Sequence, residues 1–337
     1  MEDNRFFRIA LAIVLLFLTG FVMKLARPVL IPFILAVFLS FIIDPALTFL
    51  TRCRCPRPGA VLIVLALMFV SLYFMGALAY SSGKALVNEL PKYQDRFAGI
   101  SGLLEKVLGP LKVDLSSVLG SIDITKVAGF ILNSIGPFVG LLGKLLLVFL
   151  FLVFLVSGRG RFGLKLAKSL DEGRAGRVRG IYQAIDAQVR KYLVIKTAMS
   201  ILNGVMVWLV LVLFGVDFAA LFGLIAFLLN YIPNIGSLMA TVLRVGFAFF
   251  QFGTFWPPFW ILVITNVLDL LLGNVLEPRI MGKGLGLSPL LVFFSLVFWG
   301  WLWGIPGMIL SVPLTAVVKI VCQNVPALRP IAVLMGS

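Results

Sequence analysis

The sequence predicts an all-α polytopic membrane protein with about 8 membrane segments, two of them broken or re-entrant helical hairpins, and one extracytoplasmic amphipathic helical segment. Three observations carry that reading. Hydrophobic residues fill 61% of the 337 positions and charged residues 13%, whereas a soluble domain carries about 25% charged residues to cover its surface. Long stretches contain no ionisable group, as between Ala60 and Lys84 or between Lys144 and Arg159. These stretches do not alternate in polarity. They therefore read as membrane helices, which need about 20 apolar residues, rather than as barrel strands.

Element by element, apolar segments fall near 6–23, 29–50, 59–80 and 138–157 in the first half. In the second half they fall near 193–214, 218–232, 236–252, 257–273, 289–301 and 305–322. The first run stops at Lys24 and Arg27 rather than at a small-residue cleavage site, so it reads as a retained helix. The stretch after Gly158 is densely basic up to Lys196 and orients the chain, because short basic loops stay in the cytoplasm. Arg52, Arg54 and Arg57 follow it to the same side, and Lys24 with Arg27 forms the one discordant loop. The expected organisation is N-terminal helices over 1–80, the amphipathic segment over 81–137 and a fourth helix over 138–157. A basic cytoplasmic loop or helix over 158–192, a transport core over 193–325 and a tail over 326–337 complete it. Within 81–137, apolar residues such as Leu103, Leu104, Val107, Leu108 and Leu111 recur at helical spacing. They predict amphipathic helices on the membrane surface or against a neighbouring subunit.

The net charge of +15 sits in loops beside helix ends, so it reads as membrane orientation rather than as a nucleic-acid footprint, and no nucleic-acid partner is expected. Cys53, Cys55 and Cys322 have no histidine to join them, so no metal site is expected, and no cofactor. No catalytic residue is nominated, because no serine or cysteine has a nearby base. The glycine-rich run Gly282–Gly286 follows a helix and lacks the Gly-Lys-Ser/Thr ending of a phosphate loop. The chain does not read as an enzyme.

The second half carries the candidate site. Segment 218–232 breaks at Pro233 and Gly236, and segment 289–301 breaks at Gly300, Gly304, Pro306 and Gly307. Short, interrupted apolar segments in matching positions mark the central site of a secondary transporter. Asn230, Pro233, Asn234 and Gly236 would expose backbone polar groups at the first break. On the helix from 257, Asn266, Asp269, Gly273 and Glu277 lie within about 80° of one another at ~100° per residue, with Asn274 at the edge. Asn230, Pro233, Asn234, Gly236, Asn266, Asp269 and Asn274 are the candidate substrate or ion ligands. For Asp269 a structural pair with Arg244 is the alternative. Arg244, Glu277, Pro278, Arg279, Gly304, Pro306, Gly307 and Pro313 are assigned gating or structural roles, with Pro278 expected to end its helix.

Four stretches then resemble a known family: Asn230-Tyr-Ile-Pro-Asn-Ile-Gly236, Asn274-Val-Leu-Glu-Pro-Arg279, Gly284-Leu-Gly-Leu-Ser-Pro289-Leu-Leu-Val and Gly304-Ile-Pro-Gly-Met-Ile-Leu-Ser-Val-Pro313-Leu. They are similar to the signature of the autoinducer-2 exporter (AI-2E) family of permeases. The resemblance implies export of a small polar solute, the quorum-sensing signal autoinducer-2 being the eponymous case. It also implies a rival activity, sodium(lithium)/proton antiport, and a homo-oligomer, with a pentamer the expected number. Many members carry histidine where this chain has Ser288, which removes one route for a proton relay. The expected partners are thus the lipid bilayer, a small polar solute with sodium or protons as coupling ions, and further copies of the chain. The expected location is the bacterial inner membrane with both termini cytoplasmic. A non-transporting membrane scaffold is the reading from another class.

Overall fold

A computed structural model describes residues 3–108, 145–158, 172–282 and 285–336. Among these residues the chain is helical, and the one β feature is an isolated bridge between Leu287 and Gly336. The helices are α1 (Asp3–Leu25), α2 (Arg27–Arg52), α3 (Arg57–Leu108), α4 (Leu145–Gly158), α5 (Glu172–Leu213), α6 (Ala219–Leu229) and α7 (Ile235–Phe252). After them come α8 (Trp256–Leu270), a π-helical turn (Leu271–Leu276), α9 (Glu277–Met281), α10 (Pro289–Trp303), α11 (Ile305–Asn324) and α12 (Arg329–Leu334).

Proline sets many of the starts. It occupies the first turn of α2, α8, α10, α11 and α12, where its fixed φ suits the helix and no intrahelical amide bond is lost. Six described helical stretches are long and apolar enough to cross a membrane, and α4, α6 and α10 are shorter apolar helices. The expected fold class is therefore the observed one, with each apolar segment helical as far as the described residues reach.

Two local expectations change, and a third takes one of its two expected forms. The segment after Ser81 does not begin a separate surface helix, because α3 runs unbroken for 52 residues, about 78 Å of helix. Nothing at 81–90 stops it: Lys84, Ala85, Leu86, Glu89 and Leu90 are good helix formers. The surface helices expected beyond Leu108 lie outside the described residues. The basic stretch is helical from Glu172 and fuses with the following span into the 42-residue α5. Pro278 does not end its helix, which continues to Met281 after the π turn.

The chain forms two compact units. One comprises Met1–Val61, Lys144–Val194 and Lys283–Ser337, and it holds the hairpin of α10 and α11. The other comprises Leu62–Gly143 and Ile195–Gly282, with the hairpin of α6 and α7. The expected transport core, 193–325, contributes to both units. In the second unit the core gathers Val207, Leu211, Phe222, Ala226, Ala240, Val245, Ala248 and Ile261. Small residues allow it to close: a Cβ at Gly204 would lie 2.8 Å from the Gly223 carbonyl, and one at Gly223 would lie 2.7 Å from Trp208 Cβ. Such small-residue contacts bring helix backbones together where lipid supplies no hydrophobic drive.

Candidate functional site

The first hairpin turns through Asn230–Asn234. The Ile235 amide donates to the Pro233 carbonyl at 2.6 Å, and Asn234 takes a φ of +58°. Asparagine tolerates positive φ better than most side chains. Its side chain is exposed and makes no capping bond, while its carbonyl accepts from Leu238 N and Ser237 Oγ. Gly236 is forced by contact. A Cβ there would sit 1.8 Å from the Leu229 carbonyl oxygen, so α7 leaves the turn against the backbone of α6.

Polar side chains of α5 hold this turn. Asn230 Nδ2 donates to Ser200 Oγ at 2.9 Å, and Tyr231 OH donates to Thr197 Oγ1 at 2.9 Å. Lys196, Ser200 and Asn203, spaced i, i+4 and i+7, are all buried on α5. Asn203 Oδ1 has no hydrogen-bond partner among the described residues. At the far end of α5, Gln251 of α7 binds both the Gly215 carbonyl and the Asp217 amide at 2.7 Å.

The expected stripe on α8 separates into different environments. Asp269 Oδ2 accepts from Arg244 Nη2 at 2.7 Å, with the arginine side chain 1% exposed. Arg244 also donates from Nε to Thr265 Oγ1 and from Nη2 to Thr241 Oγ1. Arg244 Nη1 and Asp269 Oδ1 are buried without partners among the described residues. Glu277 instead accepts from Lys196 Nζ at 3.0 and 3.1 Å. Asn266 is exposed and bonds back to the Leu262 carbonyl on its own helix, and Gly273 and Asn274 are exposed on the π turn. Arg279 is exposed in the last turn of α9.

Pro278 explains the π turn. Its ring would clash with the carbonyl of Asn274, four residues back, and it offers no amide to that turn. Bonding shifts from i−4 to i−5, as in the Glu277 amide to the Leu272 carbonyl. The helix then advances with an altered register, so a wheel drawn at ~100° per residue fails across it. That is why Asp269 and Glu277 address two different helices, α7 and α5.

The second hairpin repeats the first one's tightest feature. Gly304 alone joins α10 to α11, at φ +69°. A Cβ on Gly307 would sit 1.9 Å from the Trp299 carbonyl oxygen, and Pro306 stands between those glycines in the first turn of α11. Pro313 is fully buried within α11. Ser288 is the N-cap of α10, its Oγ accepting from the Leu291 amide at 3.3 Å. Lys319, which the sequence reading passed over, is buried in α11 and donates to the Gly286 carbonyl. Lys196, Ser200 and Asn203 were also passed over, although three polar residues at helical spacing in an apolar helix are a readable signal. Thr241 and Thr265 offer no such signal, because threonine is ordinary in membrane helices.

Among the described residues, no three acidic or thiol side chains gather as a metal site would require. Among the described residues, Lys196 pairs with Glu277 and Arg244 with Asp269, while the first hairpin turn is held by hydroxyls, an amide and backbone.

A family model described as AI-2E family transporter matches residues 11–327. The chain is 36% identical over 335 residues to the AI-2 transport protein TqsA of Escherichia coli (strain K12), covering 98% of this chain and 95% of that one. It is 35% identical over 332 residues to a Borreliella burgdorferi protein named only for a proposed transport role, covering 97% and 89%. YhhT of Escherichia coli (strain K12), named in the same way, is 32% identical over 313 residues, covering 92% and 89%.

Proposed function

Since this chain belongs to the AI-2E transporter family and is a multi-pass membrane transporter, we propose that it moves a small, uncharged polar solute by alternating access around its two broken hairpins. One observation carries this reading. The first hairpin turn is held by neutral hydrogen bonds, while both nearby acids, Asp269 and Glu277, are neutralised by buried cations. A solute with hydroxyl and carbonyl groups could exchange into such bonds, whereas a bare cation would meet carboxylates already paired with buried cations. Autoinducer-2, the substrate named for the TqsA relative, has the right polarity to be the first solute tested.

Sodium(lithium)/proton antiport through Asp269 is the weaker reading, because Arg244 already compensates that carboxylate and a titrating group must be able to lose its charge. The same proposal puts Asn230, Asn234 and Asn203 nearest the solute. It gives Arg244, Asp269, Lys196 and Glu277 the task of holding α7, α8–α9 and α5 in register. The basic stretch after Gly158 would face the cytoplasm, and the working form would be a homo-oligomer in the inner membrane.

The deciding experiment is flux into proteoliposomes. Labelled autoinducer-2 should move in the absence of sodium, and Asn230→Ala should abolish that movement while lowering stability by only about 1 kcal/mol. Sodium-driven proton movement with no solute flux would overturn the proposal in favour of antiport. Absence of any flux would favour the scaffold.

A further inference from the structure

The junction of α1 and α2 carries the two cations that oppose the expected orientation, Lys24 and Arg27, and both close on the tip of the second hairpin. Lys24 Nζ lies 5.0 Å from the centroid of the Trp301 ring. A Cβ on Gly304 would be 3.3 Å from Arg27 Nη2. Trp303 is fully buried and its Nε1 donates to the Met23 carbonyl at 3.3 Å. Three contacts thus bring the junction to the residues where α10 ends and α11 begins.

Among the described residues the charge balance there is incomplete. The C-terminal end of α10 supplies only a partial negative charge. Arg27 is the first residue of α2, where its own helix's dipole opposes it. Among the described residues no carboxylate pairs with either cation. Both side chains are exposed, but their neighbours are not those of a water-facing patch. Leu25 is 74% exposed, and Trp301 and Ile305 are each 64% exposed. Cations ringed by exposed aliphatic and indole side chains sit at the boundary between hydrocarbon and headgroups. The anion available at that depth is a lipid phosphate.

We propose that Lys24, Arg27 and Trp301 form a binding site for the phosphate headgroup of an anionic phospholipid, seated against the tip of the α10–α11 hairpin. The cations supply the charge, the exposed apolar side chains meet the upper acyl carbons, and the bound lipid steadies Gly304 and its turn. This also explains why two basic residues persist at a junction where the orientation rule disfavours them. The inference does not depend on which solute is moved.

Native mass spectrometry of the purified full chain in mild detergent tests it, with phosphatidylglycerol, phosphatidylcholine and soluble glycerol 1-phosphate as probes. Two cations near the surface should favour the anionic lipid by on the order of tenfold. The Lys24→Gln/Arg27→Gln variant should lose that preference, and phosphatidylglycerol should raise the melting temperature of the natural chain alone. Trp301→Leu, which removes the perch without touching a buried side chain, should weaken the same preference and covers the case in which the double variant fails to fold. Equal binding of both lipids, or undiminished preference in these variants, would overturn the proposal. So would glycerol 1-phosphate matching the lipid, which would make the site one for free phosphate. A fall in melting temperature that no lipid modulates would reduce the cluster to an internal clamp and overturn it too.

Discussion

The two hairpins solve one problem with different chemistry. Each must end one helix and start another at once, and each does so by pressing a glycine onto a carbonyl of the preceding helix, Gly236 on Leu229 and Gly307 on Trp299. Their tips are then secured in contrasting ways. Neutral donors and acceptors on α5 hold the first, through Ser200 and Thr197. At the second, the indoles of Trp301 and Trp303 on α10 meet Lys24 and the Met23 carbonyl at the α1–α2 junction. Neutral bonds are individually weak and exchange readily for bonds to a solute. The first tip thus rests on side-chain hydrogen bonds between neutral groups, and the second on an indole-to-carbonyl bond and a cation–π contact.

The largest effect should come from the feature the hairpins share. Gly236→Ala and Gly307→Ala each put a methyl less than 2 Å from a backbone oxygen. Neither helix can relax without separating from its partner, so both variants should lose about 3 kcal/mol or more of stability. Expression level and melting in detergent would reveal it. Normal melting of either variant would end the claim that close backbone approach defines the turns.

The buried pair should show an effect of comparable size. Arg244→Gln leaves Asp269 uncompensated and should destabilise by about 3–5 kcal/mol. Asp269→Asn/Arg244→Gln should recover most of that loss, which a thermal-melt double-mutant cycle would measure. Failure to recover would assign Asp269 a ligand rather than a partner. Lys196→Met/Glu277→Gln should likewise be milder than either single change, since those side chains are only 10% and 15% exposed.

Smaller effects separate the hairpins in function. Ser200→Ala should lower stability by about 1 kcal/mol, the worth of a single neutral hydrogen bond, yet reduce solute flux far more than that figure implies. Asn234→Gly keeps the positive φ and removes only the exposed amide. It should leave melting within about 0.5 kcal/mol, as for other surface changes, while lowering flux if the tip meets the solute. Asn234→Leu is a poorer probe, because a branched side chain at φ +58° adds backbone strain of about 1–3 kcal/mol.

Much of this molecule was legible without coordinates. The membrane class and helix positions follow from hydropathy, and the interruptions at Pro233–Gly236 and Gly300–Gly307 mark both hairpins. The reading faltered where an element depends on what does not interrupt it. Residues 81–108 carry amphipathic spacing, but no local signal distinguishes a helix lying flat from one continuing a span. Proline usually breaks a helix, so Pro278 reads as a stop in the sequence. The chain absorbs it with a π turn, which a wheel of constant angle cannot anticipate.

The sequence by itself therefore determined what is local: which stretches prefer lipid, where the backbone must turn, and which residues, such as Gly236 and Gly304, permit those turns. Only the tertiary structure decided which polar groups meet. Lys196 finds Glu277 across 81 residues, Arg244 finds Asp269 across 25, and Trp303 reaches Met23 across 280. Hydropathy and helical period act over a few turns, so they offer Arg244 for Asp269 only as one of two alternatives and do not pair Lys196 with Glu277 or Trp303 with Met23. Inside an apolar phase an unpaired charge is too unfavourable to persist, so long-range pairing selects the arrangement that local pattern leaves open.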